Sequence, residues 1–140
     1  MEEPVIIEGV DYPDARDLPD LGMGHVFRYC NFKDMELETG PVDASFIGCV
    51  FQDLDWYWGL FNCCILVDVS FERCTFRGTN FADCRFLNCT FTNCRFVHDN
   101  LDSPCHFEGS QWFDCRVGVG NEGLPLSLGK LRKPSGFGDR

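Results

Sequence analysis

The chain has 140 residues, 44% of them hydrophobic and 24% charged, with ten cysteines and a net charge of −10. That length suits one domain with apolar content enough for a core, and the acidity argues against nucleic acid as a ligand, whose phosphates it would repel. The longest nearly apolar run, Gly59 to Val67, is far too short to span a bilayer.

Residues 1–24 show no repeating pattern. They carry Pro4, Pro13 and Pro19, and the acidic Glu2, Glu3, Glu8, Asp11, Asp14, Asp17 and Asp20. Val5-Ile6-Ile7 could form one strand, and the segment is expected to cap the end of the repeat region. Its start, Met1-Glu2-Glu3-Pro4, has no apolar signal region.

A five-residue period begins at Phe27, Phe32 and Leu37, with His25, Cys30 and Met35 two residues before each. A slip comes next, nine residues from Leu37 to Phe46, marked by the bend Gly40-Pro41. The longest block then reads Phe46, Phe51, Trp56, Phe61, Leu66, Phe71, Phe76, Phe81, Phe86, Phe91, Phe96 and Leu101, all large and apolar. Two residues before these stand Ala44, Cys49, Leu54, Gly59, Cys64, Val69, Cys74, Thr79, Cys84, Cys89, Cys94 and Asp99, mostly small or thiol-bearing. An α-helix would smear this spacing around its circumference, and a strand alternates with period 2. The pattern fits a chain that turns a corner every five residues and points two of them inward. A second slip, near 102–106, carries Asp102-Ser103-Pro104. Phe107, Trp112 and Val117 then continue the series, with Cys105, Ser110 and Cys115 in the small slot. Residues 118–140 are glycine-rich and end basic, with Lys130, Arg132, Lys133 and Arg140 against Asp139. A short capping stretch around Leu124 to Leu131 and then a mobile tail are expected there.

The units Cys74-Thr75-Phe76-Arg77-Gly78, Thr79-Asn80-Phe81-Ala82-Asp83, Cys84-Arg85-Phe86-Leu87-Asn88, Cys89-Thr90-Phe91-Thr92-Asn93 and Cys94-Arg95-Phe96-Val97-His98 resemble the pentapeptide repeat family. The resemblance implies an all-β fold, a right-handed quadrilateral β-helix with four pentapeptides per coil. It would span residues 25–117 in about four to five coils, between the cap at 1–24 and an irregular tail at 118–140. Coils at the strand spacing of about 4.8 Å make a rod roughly 22 Å long. Residues twenty apart should then stack: Phe51, Phe71 and Phe91 in one inward column, Phe46, Leu66 and Phe86 in another. On the outside, Asp53 should lie beside Arg73, and Tyr57 beside Arg77.

Nine of the cysteines fall in the small inward slot, and Cys63 does not. A free cysteine packs there as a small hydrophobe. The spacing of Cys84, Cys89 and Cys94 is not that of a zinc knuckle. Reduced thiols are the first reading and imply a reducing compartment, with the cytoplasm as default. Distance alone does not exclude bridges between stacked cysteines. No catalytic constellation is legible: His25, His98 and His106 are scattered, Cys105 faces in and His106 out, and the glycines at 118–123 lack a phosphate-loop context. No enzyme activity, cofactor or metal is expected.

The charge is uneven. Residues 1–60 hold 13 acidic and three basic side chains, and the remainder nine of each. Tyr57 and Trp58 come directly after the inward Trp56 and occupy outward slots among carboxylates. With Asp34, Glu36, Glu38, Asp43, Asp53 and Asp55 they form the candidate partner-binding patch, since aromatic anchors ringed by charge suit a basic groove. The alternative is that the 1–24 cap folds over them. A face of Arg73, Arg77, Arg85 and Arg95 is the next candidate. The first functional reading is an acidic binding inhibitor, an immunity-type protein neutralising a bacterial toxin such as a nuclease. The alternative is similarity to the quinolone-resistance pentapeptide proteins, which mimic DNA and bind DNA gyrase. Those are long dimers joined through a C-terminal helix, which this chain lacks a sign of, and a monomer with neither nucleic-acid nor membrane partners is expected.

Overall fold

The computed structural model describes residues 3–38 and 40–124, and the backbone of the strand Leu131–Arg132. Its regular structure is almost wholly short parallel strands, broken by one 3₁₀ turn at Ala15–Asp17. Each repeat supplies a three-residue strand with its large residue inward, and the chain turns a corner before the next. Four faces result. The first stacks Ile6–Glu8, Val26–Arg28, Ser45–Ile47, Ile65–Val67, Arg85–Leu87 and Gln111–Phe113. The second runs from Asp11–Tyr12 to Cys115–Val117 and the final strand Leu131–Arg132. The third holds Glu36–Glu38, Asp55–Tyr57, Thr75–Arg77 and Arg95–Val97 in register. The fourth holds Pro41–Val42, Leu60–Asn62 and Asn80–Ala82. The long strands Asn31–Glu38 and Val50–Tyr57 pass from the second face to the third and join them in one bent sheet.

The twenty-residue coil holds through the middle of the rod. Phe51 pairs with Phe71 and Phe71 with Phe91. Phe46 pairs with Leu66, and Leu66 with Phe86. The rings of Phe71 and Phe91 stack at 4.7 Å with 5° between planes, and Phe76 stacks on Phe96 at 5.0 Å. The interior is thus a column of aromatic rings, each buried ring contributing roughly 1.5–3 kcal/mol.

Four expectations change. The segment 1–24 is not free of register: Ile6–Glu8 pairs with Val26–Arg28, and Asp11–Tyr12 with Asn31–Phe32, each twenty residues on. Tyr12 and Leu21 are buried, so this is a first coil whose inward residues deviate from the five-residue spacing. The first slip lies after Gly40-Pro41: Val42 is fully buried in an inward slot five residues after Leu37, and Phe46 comes four later. That coil therefore has 19 residues, with Phe27 above Phe46 and Leu37 above Trp56. Leu101 is not inward. It is 77% exposed, and Phe107 takes its place, stacked on Phe81 at 5.1 Å. The residues between form an outward loop, and the coil lengthens to 26 residues, with Phe86 beneath Trp112. The ladder also outlasts residue 117, since Arg95 bridges to Glu122 and Cys115 pairs with Leu131. Most of the expected capping stretch and all of the expected tail beyond Arg132 lie outside the described residues. Six strands on the first face at about 4.8 Å make a rod of about 24 Å.

The small slot has a bonding role as well as a size limit. Cys49, Cys64, Cys74, Cys84, Cys89, Cys94 and Cys115 each donate a thiol hydrogen bond of 3.1–3.5 Å to the carbonyl of a large inward residue one coil back. Thr79 and Ser110 donate in the same way, to Trp56 and Phe81. Gly59 is limited by size: a Cβ there would stand 2.7 Å from Nε1 of Trp56, one of the tryptophans of the column. At most corners the residue two after the inward one is left-handed, with φ of 51–55° at Asp34, Asp53, Trp58, Cys63, Asp68, Arg73, Asp83, Asn88 and Asn93. Asp, Asn and Gly recur there because they tolerate that conformation best.

Candidate functional site

The strand ladder decides which carboxylates meet. Glu36 pairs with Asp55 and Glu38 with Tyr57, so four of the candidate residues share the third face. Asp34 and Asp53 stand at the corner where the second face turns into the third, both left-handed. An open groove there is lined by Asp34, Glu36, Asp53, Asp55, Arg73 and Thr75. Asp43 belongs elsewhere. It comes after Pro41–Val42 on the fourth face, where its backbone bonds Leu21 and Gly24.

Two of the carboxylates are neutralised from the next coil. Arg73 grips Asp53 with two bonds, Nε to Oδ1 at 2.8 Å and a terminal nitrogen to Oδ2 at 3.1 Å. The guanidinium holds the Asp53 carboxyl below its usual value. Arg77 donates to Asp55 at 2.9 Å and lies 5.4 Å from the centroid of the Tyr57 ring, a cation over an aromatic face. The stacking of Asp53 with Arg73 and Tyr57 with Arg77 results from the coil length. The Asp55–Arg77 bond does not, because it runs diagonally across the ladder. The arginines expected as a separate face are therefore partly spent on the acidic one. Asp34, Glu36 and Glu38 are exposed, and no ion pair involves them among the described residues.

Trp58 is 37% exposed and reaches a segment far along the chain. Its indole N–H donates to Oδ2 of Asp99 at 2.8 Å, across 41 residues of chain. The other oxygen of Asp99 accepts from the backbone N–H groups of Leu101 and Ser103 and so folds the outward loop. Those backbone donors and the indole hold the Asp99 carboxyl below its usual value. Gly78 makes the contact possible: a Cβ on it would meet the Asp99 carboxylate at 2.5 Å. The loop thus stands beside the acidic face, with Leu101 at its tip and His98 bonded to Asp102 at 2.7 Å. Sequence reasoning missed Asp99 and the loop because Leu101 kept the five-residue count. The charged Asp99 in a small slot and the slip at Asp102-Ser103-Pro104 were the signals against it.

The remaining titratable groups do not assemble. His25 is buried in its inward slot and accepts from Val5 N–H, while His106 is exposed. All ten cysteines are free thiols, with Cys63 exposed. Burial pushes the Cys49 thiol up to about 11, and burial likewise raises Cys105. Among the described residues no three His, Cys, Asp or Glu side chains converge as metal ligands would. No helix among them is long and apolar enough to cross a membrane.

Residues 64–98 match the family model for pentapeptide repeats, in eight copies. No curated protein matches the chain. Among solved structures it is similar to a trypsin-treated form of QnrB1, described as a plasmid-mediated fluoroquinolone resistance protein. The TM-score is 0.45 at 12% identity, over 85% of this chain and 53% of the other, so the chain spans about half of that protein's length. It is also similar to Rfr23, a pentapeptide repeat protein from the cyanobacterium Cyanothece 51142. There the TM-score is 0.37 at 13% identity, over 85% and 84% of the two chains.

Proposed function

We propose that this pentapeptide-repeat β-solenoid is a non-enzymatic protein that binds another protein, laying the acidic side of its N-terminal coils against a surface built for nucleic acid. DNA gyrase is the first partner to test, in keeping with the DNA-mimic reading of the sequence. The observation that carries the proposal is the row Asp34, Glu36 and Glu38. These carboxylates leave one strand outward, are exposed, and belong to no ion pair among the described residues. A basic groove would offer them ion-pair partners, and such charges speed encounter. A rod of about 24 Å covers about seven base pairs of duplex at about 3.4 Å each, a short mimic.

The toxin-inhibitor reading ranks second. It drew on acidity, size and the exposed Tyr57 and Trp58, and both rings are partly engaged, Tyr57 under Arg77 and Trp58 on Asp99. The decisive experiment is titration of the chain into DNA gyrase, with supercoiling followed in the presence and absence of a quinolone. Binding that DNA displaces, that weakens steeply with salt and that the double substitution Glu36→Gln, Glu38→Gln reduces would support the proposal. Gyrase that neither binds the chain nor changes its supercoiling would remove it. Recovery of a nuclease from the native host would then favour the inhibitor.

A further inference from the structure

The strand Asn31–Glu38 is paired along one side and largely open along the other. Val50–Tyr57 pairs with it at both ends, from Asn31 to Lys33 and from Met35 to Glu38. Toward the N-terminal end of the rod it pairs only through Asn31 and Phe32, with Asp11 and Tyr12. The chain there leaves the ladder for the 3₁₀ turn Ala15–Asp17, and among the described residues no strand lies behind residues 35–38. Elsewhere the residue just before an inward one sends its amide to the coil behind, as Val50 does to Cys30 and Arg95 to Cys74. Glu36 holds that position before the inward Leu37, and Glu38, two residues on, turns its amide the same way. Neither has a backbone bond on that side among the described residues.

Between this edge and the segment 15–21 runs an open groove of about 390 Å³. Ala15, Leu18 and Pro41 supply its apolar walls. Asp20, Glu36 and Glu38 bring three carboxylates to it, and none of the described residues lining it is a cation. Arg16, the one cation of that segment, is bonded to Asp14 at 2.7 Å.

We infer that this groove takes an extended basic segment of a partner protein, which adds a strand to the edge at Glu36 and Glu38. The inference rests on the protein-binding role proposed above and names what enters. The edge decides the backbone form of the occupant, because open strand groups pair with another strand and main-chain bonds supply affinity. The carboxylates decide its side chains. Glu36 and Glu38 are two residues apart and lie on one side of their strand, so the alternate residues facing them should be arginine or lysine. The residues between turn toward the apolar wall and should be apolar. A nucleic acid would bring phosphates against three carboxylates and is the wrong occupant.

The test uses a labelled octapeptide of alternating arginine and valine, with fluorescence anisotropy read on the full chain. Saturable binding is expected, and exchanging the arginines for glutamine should abolish it. The double substitution Glu36→Gln, Glu38→Gln should weaken it several-fold. Methylating the backbone nitrogens of alternate residues keeps the charge and removes strand donors. In one of its two phases it should weaken binding about tenfold or more. Hydrogen exchange locates the site: the Glu36 and Glu38 amides should exchange fast in the free chain and slowly with the peptide. No binding, or equal binding by both methylated peptides, overturns the inference. So do amides already slow in the free chain, because a second copy or another segment then fills the groove. Gyrase that binds the chain while the peptide does not overturns this inference alone. Gyrase that ignores the chain while the peptide binds as expected removes gyrase and leaves the groove.

Discussion

Cys63 and Cys74 show how position along a five-residue unit sets the chemistry of one residue type. Cys74 is buried and donates to the Phe51 carbonyl at 3.2 Å. Cys63 is exposed at a left-handed corner with φ of 55°. A buried thiol such as Cys49, raised to about 11, holds almost no thiolate near pH 8. Native protein should therefore show one fast thiol towards a disulfide reagent, Cys63, and the remainder only on unfolding. Several fast thiols would mean that the interior opens readily. Cys63→Asn should remove that reactivity and raise stability by about 0.5–1 kcal/mol in denaturant titration, since asparagine tolerates the left-handed corner better. In the column, Phe71→Ala removes a ring stacked on Phe91 and edge-on to Phe51 and should cost roughly 3–5 kcal/mol. An unchanged thermal melt would show that the column tolerates the void.

At the scale of an element, the outward loop near 98–104 is folded by one carboxylate. Asp99 binds two backbone N–H groups of the loop and the indole of Trp58. Asp99→Ala should loosen the loop, raise quenching of Trp58 fluorescence and move the global melt little, because the group is on the surface. Gly78→Ala should act similarly, by pushing Asp99 away and by straining a backbone with φ of 56°. The pH dependence has a definite sign. The Asp99 carboxyl is held below its usual value, so its contribution is present above the ordinary aspartate range and lost as pH falls through the lower folded value. The fluorescence change on acidification should come below about pH 3.9, the unperturbed value. A transition at or above that pH would separate the loop from Asp99.

Across the whole molecule the charge is a gradient along the rod. The early coils carry Asp34, Glu36 and Glu38, in no ion pair among the described residues, and later coils send Arg73 and Arg77 back to Asp53 and Asp55. Like charges on neighbouring strands, such as Glu36 beside Asp55, repel, and exposed ion pairs return little. Salt should therefore raise the melting temperature modestly between low and physiological ionic strength. A fall would mean that the ion pairs outweigh the repulsion.

The five-residue period by itself determined the architecture. Large residues at one slot and small ones two before it can be buried together only by a chain that turns four corners per coil. The Phe51–Phe71–Phe91 column, the inward cysteines and the Asp53–Arg73 pair all result from that count. What the count could not reach are the places where a coil is not twenty residues long. Ile7 and Tyr12 joined the ladder although the pattern around them is irregular, because a strand edge accepts any backbone that supplies the hydrogen bonds. Val42 went inward because it has Phe61 of the next coil as its ladder partner, and Leu101 outward because Phe107 took the place stacked on Phe81. The candidate face divides in the same way. Its acidity, and the Asp53–Arg73 and Tyr57–Arg77 neighbours twenty residues apart, were readable, whereas Glu36 beside Asp55 depends on the 19-residue coil. The removal of Asp43 to another face, the diagonal bond to Asp55 and the Asp99 contact to Trp58 depend on side chains distant along the chain, and only tertiary packing brings those together.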